Sequence, residues 1–125
     1  MRLRNVPGAR EVMIENEYVF TEPEGMKGTW SQVFGNDNPI RIEIGMGKGT
    51  FITTLAANNP DINYVGIEKY SSVLLRAVEK QDELQLPNLR FIRMDAEAIC
   101  EVFGEGEVDS CLLYTSDAAD DRISV

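Results

Sequence analysis

Residues 42–51 read IEIGMGKGTF, setting an apolar stretch, a carboxylate and three alternating glycines in immediate succession. Glycines at 45, 47 and 49 let the backbone turn sharply and approach a ligand with no Cβ in the way. A helix starting behind them offers unpaired N–H groups, so the stretch reads as a strand-to-helix turn. A phosphate-cradling P-loop requires glycine five positions before its GK pair, where this chain has Ile42. A dinucleotide GxGxxG fingerprint also fits poorly, because from Gly45 the third glycine falls one residue early, at Gly49. An acid followed by GxGxG suits a ligand that brings a cation and a ribose; a tight strand-to-helix loop with no ligand is the other reading.

The same alternation continues downstream. Ile40, Ile42 and Ile44 alternate as a first strand, and residues 51–57 form a helix that Pro60 stops. Residues 63–68 (NYVGIE) predict a second strand, and Ser71 or Ser72 caps a second helix with Val73, Leu74, Ala77, Val78 and Leu84 as its buried stripe. Pro87 and Asn88 end that helix, residues 89–94 (LRFIRM) make a third strand, and residues 96–103 a short third helix before a glycine-bearing turn. Residues 111–114 offer a fourth strand. Three strand-helix units in succession predict an α/β fold with a doubly wound parallel sheet, whose ligand sites lie at the carboxyl ends of its strands. The expected organisation is an N-terminal extension over residues 1–39 packed onto an α/β half-domain of residues 40–110, then a tail over residues 111–125.

At 125 residues and 43% apolar, the chain holds one small domain with enough apolar material for a core. A formal charge of −9 argues against a surface that grips nucleic acid everywhere by neutralising phosphates. Arg2, Arg4 and Arg10 form the clearest basic cluster. Two cysteines and no histidine leave neither a disulfide framework nor a typical zinc site, and they exclude histidine-based catalysis. The first residues, MRLRNVPGAREVMIENE, contain no apolar run long enough for a signal peptide or membrane span, so a cytoplasmic protein with no membrane partner is expected.

Glu43, Glu68 and Asp95 each close or directly follow one of the three strands, so a parallel sheet gathers them along one edge. Any one of them alone reads as a solvated carboxylate or a helix cap. Three in register beside a glycine turn point to a ligand site. Glu68, about twenty residues after the turn, can accept both hydroxyls of a ribose, and hydrogen bonds to a charged acceptor are worth about 1.5–3 kcal/mol. Asp95 can meet the exocyclic amine of an adenine. Glu43, nearest the turn, attracts positive charge in a partly dehydrated cleft.

With the blocks EIGMGKGTF, NPDINYVGIEKY and LPNLRFIRMDAE, the chain resembles the bacterial tRNA (guanine-N7)-methyltransferases that use S-adenosylmethionine. The likeness runs over residues 33–109, and the opening RLRNVPGA is similar to the family's start. The resemblance implies the N-terminal half of a class I methyltransferase, Rossmann-like in fold. It also implies cofactor contacts from Glu43, Glu68 and Asp95, with Gly45, Gly47, Lys69 and Ala96 lining the same pocket. Guanine N7 holds an unshared pair and needs no deprotonation. In-line attack on the sulfonium methyl can therefore be driven by positioning, worth as much as about 7–11 kcal/mol, and no catalytic side chain is assigned. N7 faces the RNA major groove, which side chains cannot read, so the implied tRNA partner presents a loop or extruded guanine.

After Val108 and Asp109 the family pattern continues with an NFSDPWPK segment and a basic stretch, whereas this chain reads SCLLYTSDAADDRISV. Asp117 falls where the family places a fourth acidic cofactor contact, with DAADD standing for DPWPK. Residues 111–125 are therefore expected to be a non-family tail, similar to translated sequencing-adapter read-through. The chain is expected to be a truncated portion, inactive alone, whose partial sheet leaves an unpaired edge and apolar surface prone to association. Three rivals stay open: a methyltransferase acting on a small molecule or protein, a non-catalytic module that binds S-adenosylmethionine or another nucleotide, and a nicotinamide enzyme using Glu68 for the ribose.

Overall fold

A computed structural model describes residues 8–47 and 49–113. In chain order these form α1 (Ala9–Glu15), β1 (Val19–Phe20), α2 (Trp30–Phe34), β2 (Ile40–Ile44), α3 (Thr50–Asn58), β3 (Asn63–Glu68), α4 (Ser71–Leu84), β4 (Leu89–Arg93), a 3₁₀ segment (Ala96–Glu101) and β5 (Ser110–Leu113). The five strands make one sheet in the order β1-β4-β3-β2-β5, and every pairing is parallel. β3 is buried at all of its positions, as expected of an interior parallel strand covered on both faces. The α/β architecture expected from the alternation is therefore present. Among the described residues, no helix is long and apolar enough to cross a membrane.

Each face of the sheet carries its own core. On one side Met13, Ile52, Ala56, Leu74, Val78 and Phe91 pack α1, α3 and α4 against the strands. On the other, Ile42, Val65, Ile67 and Ile92 meet Trp30, Val102 and Phe103. Trp30 is fully buried, stacks on Phe103 at a centroid distance of 4.9 Å and meets Phe20 edge-on at 5.6 Å. Its Nε1–H donates to the Val102 carbonyl at 2.9 Å, which satisfies the one polar atom of the indole.

Residues 8–39 are joined to the sheet itself. Val19 and Phe20 pair with Phe91 and Ile92 and form the edge strand β1. α1 lies against α4, where the Asn16 side-chain amide donates to Asp82 at 3.0 Å.

Four local expectations are corrected. Neither Ser71 nor Ser72 caps α4: Tyr70, in extended conformation, holds the N-cap position, and Ser72 is buried with an unbonded hydroxyl. The Tyr70 N–H is instead taken up by a Glu68 carboxylate oxygen at 3.3 Å. Leu84 is 48% exposed rather than part of the α4 stripe. Gln81 takes the buried place, because its amide donates to the carbonyls of Leu86 and Leu89 and accepts from the Leu86 N–H, fastening the return into β4. The third helix is a kinked 3₁₀ segment that ends before Val102 and Phe103, whose carbonyl and ring are engaged by Trp30. The fourth strand starts one residue earlier than expected, at Ser110, and Tyr114 lies outside the described residues.

Candidate functional site

Parallel pairing in register brings the carboxyl ends of β2, β3 and β4 together: Ile44 lies beside Ile67, Ile67 beside Ile92, and Glu68 beside Arg93. The chain leaves these ends through the glycine turn, through Lys69 and Tyr70, and through Asp95. Between the exits lies a cavity of about 240 Å³. Ile44, Ile67 and Met94 give it an apolar floor, and Gly45, Glu68, Lys69, Tyr70, Asp95 and Ala96 form its walls. Of the residues singled out from the sequence, Gly45, Glu68, Lys69, Asp95 and Ala96 thus meet around one space. Asp117 lies outside the described residues.

The turn is held from below. The N–H groups of Gly45 and Met46 both donate to the Ile67 carbonyl, at 2.9 and 3.3 Å. The Gly47 N–H donates to Oε1 of Glu68 at 3.1 Å, while Oε2 accepts from Tyr70. Gly47 is therefore beside the site through its backbone, although it does not line the cavity. Glu68 does structural work that its spacing alone did not reveal: it ties the turn after β2 to the start of α4 and keeps lone pairs for a further donor. Gly49 adopts φ +79°, and a Cβ there would lie 2.5 Å from the Cβ of Ala77, so this glycine is required for the close seating of α3 on α4.

Asp95 caps the 3₁₀ segment through the Glu97 N–H at 3.0 Å. Its other oxygen stands 4.0 Å from the Lys69 Nζ across the mouth of the cavity, and both side chains are about half exposed. Screening by water makes this ion pair weak, and it yields readily to a ligand. Lys69 also sits 5.2 Å from the Tyr70 ring centroid.

Glu43 is placed differently from the other two acids. Strand alternation turns it away from Ile42 and Ile44, toward the face covered by α3, and leaves it only 3% exposed. It does not line the cavity, though its chain neighbour Ile44 does. Neither carboxylate oxygen has a hydrogen-bond partner. Burial without a partner penalises the charged form and pushes the carboxyl up to about 7.

Two contributors escaped the sequence reading. Met46 is buried beneath the turn, its side chain reaching both Gly49 and Gly66. The signal for it was Gly66 itself, a glycine inside an apolar strand, which marks a close approach by a neighbour. Tyr70 lines the cavity as the residue that starts α4.

Comparison with known proteins bears on this site. Residues 37–117 match a family model described as "Putative methyltransferase". A tRNA (guanine-N(7)-)-methyltransferase of Lachnoclostridium phytofermentans is 62% identical over 117 residues, covering 94% of this chain and 55% of that protein. One of the same description from a Geobacillus species is 51% identical over 118 residues, covering 94% of this chain and 54% of that protein. The chain thus spans about half the length of the curated relatives it matches. The crystal structure of SMU.1697c from Streptococcus mutans in complex with SAH superimposes with a TM-score of 0.53 at 19% identity, over 69% of this chain and 49% of that one, which supports the fold.

Proposed function

Because the chain belongs to the methyltransferase family whose model spans residues 37–117, we propose that it forms the cofactor-binding part of a cytoplasmic enzyme that transfers a methyl group from S-adenosylmethionine to N7 of a guanine in tRNA. The observation that carries this reading is the meeting of Glu68, Asp95 and the glycine turn around one cavity with an apolar floor. The names of the relatives supply the substrate half of it.

The residues present fit such a cofactor. An adenine fits an apolar floor of Ile44, Ile67 and Met94, with Asp95 accepting from its exocyclic amine once the loose ion pair to Lys69 opens. Glu68 accepts from ribose hydroxyls with the lone pairs that Gly47 and Tyr70 leave free. The unpartnered oxygens of Glu43 await positive charge. When bound, the cofactor supplies an electrophilic methyl group on a sulfonium. The protein's part is then positional: the turn fixes depth, the carboxylates fix orientation, and the apolar floor excludes water. Attack by an unprotonated ring nitrogen needs no general base, in keeping with a chain that has no histidine.

Calorimetric titration of the 125-residue chain with S-adenosylmethionine tests the cofactor half of this reading. Saturable binding that is lost on Glu68→Ala is expected, and no heat at millimolar cofactor would overturn it. Transfer of labelled methyl groups to bulk tRNA, with N7-methylguanine identified in the digest by mass spectrometry, tests the substrate half.

A further inference from the structure

A second cavity, of about 250 Å³, opens at the same edge of the sheet on the other side of β4. The strand order sets β3 on one side of β4 and β1 on the other, so Met94 and Asp95, which leave β4, wall both cavities. Pro23 and Glu24, which follow β1, close the second one from the N-terminal side, and Glu101 and Val102 close it from the end of the 3₁₀ segment. The extension thus completes a concave surface beside the cofactor cavity.

Arg93, the last residue of β4, lines this second cavity. Its register neighbour Glu68 is taken up by Gly47 and Tyr70, and Asp95 by Glu97 and Lys69. Among the described residues, the side chains of Arg93, Glu24 and Glu101 form no hydrogen bond or ion pair, although they share one small space. A guanidinium only donates and an ionised carboxylate only accepts. An occupant that satisfies them must accept along one edge and donate along another, and Pro23, Met94 and Val102 offer it apolar walls. The space falls below the roughly 300–1,000 Å³ of sites for drug-sized ligands, so it suits a single ring system.

Guanine meets both demands. Its O6 and N7 accept side by side and match a guanidinium bidentately, while N1–H and the 2-amino group donate to a carboxylate. Adenine sets its amine beside N7 and gives a guanidinium one acceptor there. We propose that this cavity is a second base-binding subsite, selective for a guanine other than the one that is methylated. A guanine held here by Arg93 has its N7 lone pair engaged, and it lies beyond Asp95, at the adenine end of the cofactor and away from the glycine turn. For the cofactor's orientation and for the source of the base, an unpaired nucleotide of the tRNA, this inference rests on the reading above. Unpaired bases are the part of an RNA that side chains read by edge.

Ligand-observed NMR on the 125-residue chain, with S-adenosylhomocysteine filling the first cavity, tests this with nucleosides as probes. Guanosine is expected to bind about tenfold more tightly than adenosine, cytidine or uridine. The same margin is expected over 7-deazaguanosine and N7-methylguanosine, which lack a free acceptor at N7, and these comparisons need no variant. Arg93→Gln, and Glu24→Gln combined with Glu101→Gln, should each weaken guanosine binding about tenfold and leave S-adenosylhomocysteine bound as before. Displacement of guanosine by bulk tRNA assigns the base to RNA, and its absence would overturn that source in favour of a free nucleoside. Equal binding of all nucleosides, 7-deazaguanosine as tight as guanosine, or no guanosine bound at millimolar concentration would overturn the subsite. Selective guanosine binding by a chain that binds no S-adenosylhomocysteine would instead overturn the cofactor reading and keep the subsite.

Discussion

The sulfur of Met46 fills the space that a Cβ on Gly66 would need, so the residue inside the glycine turn is keyed into the strand beneath it. Ile52 and Phe91 close the same space from the sides. Gly66→Ala is therefore expected to destabilise the fold by about 1–3 kcal/mol through overpacking, measured by urea unfolding. Combining it with Met46→Ala should cost less than the sum of the two single changes, because the truncated side chain makes room for the added methyl.

Glu68 joins two exits of the sheet by accepting from Gly47 and Tyr70. In Glu68→Gln one of the two acceptors becomes a donor facing an N–H, and the charge offered to ribose hydroxyls is gone. Affinity for S-adenosylmethionine should fall by about 1.5–3 kcal/mol, tenfold or more, in a binding titration. Binding undiminished in this variant would remove Glu68 from the site.

The central strands were legible because their patterns are local. Isoleucine alternation and the runs NYVGIE and LRFIR mark β2, β3 and β4, and Glu68 and Asp95 follow from where the last two runs stop. β1 was not legible, since Val19 and Phe20 become a strand only by pairing with Phe91 and Ile92, some seventy residues away. The position of Glu43 before the turn was plain in the sequence, but its isolation was not. Alternation says which face it takes, and only the fold, with α1, α3 and α4 packed on that face, shows that it is buried. Gln81 and Leu84 show the same limit: hydropathy favours burying the leucine, yet the amide is the group that can satisfy three backbone atoms at the turn into β4.

Burial of Glu43 also sets a pH dependence of folding. Its carboxyl titrates near 4.5 when free and at about 7 in the fold, so the folded state holds a proton that the unfolded chain has lost. Its favourable contribution is full below about pH 4.5 and is lost as pH rises to about 7, a swing on the order of 3 kcal/mol. Glu43→Gln should thus be more stable than the parent chain at pH 8 and equal to it near pH 4. Denaturant midpoints at the two pH values check this, and a difference that does not change with pH would refute it.

Trp30→Phe removes the indole N–H and leaves the Val102 carbonyl buried without its donor. The expected loss is about 1–3 kcal/mol in a denaturation experiment, with cofactor affinity little changed because the ring lies outside the cavity walls.

The pairing of β1 with β4 carries a consequence for synthesis. On the ribosome, Val19 and Trp30 emerge long before Phe91, Val102 and Phe103 exist to receive them. A nascent chain must therefore carry these apolar side chains unsheltered until some seventy further residues have been made, which predisposes it to slow, non-local maturation and to chaperone capture.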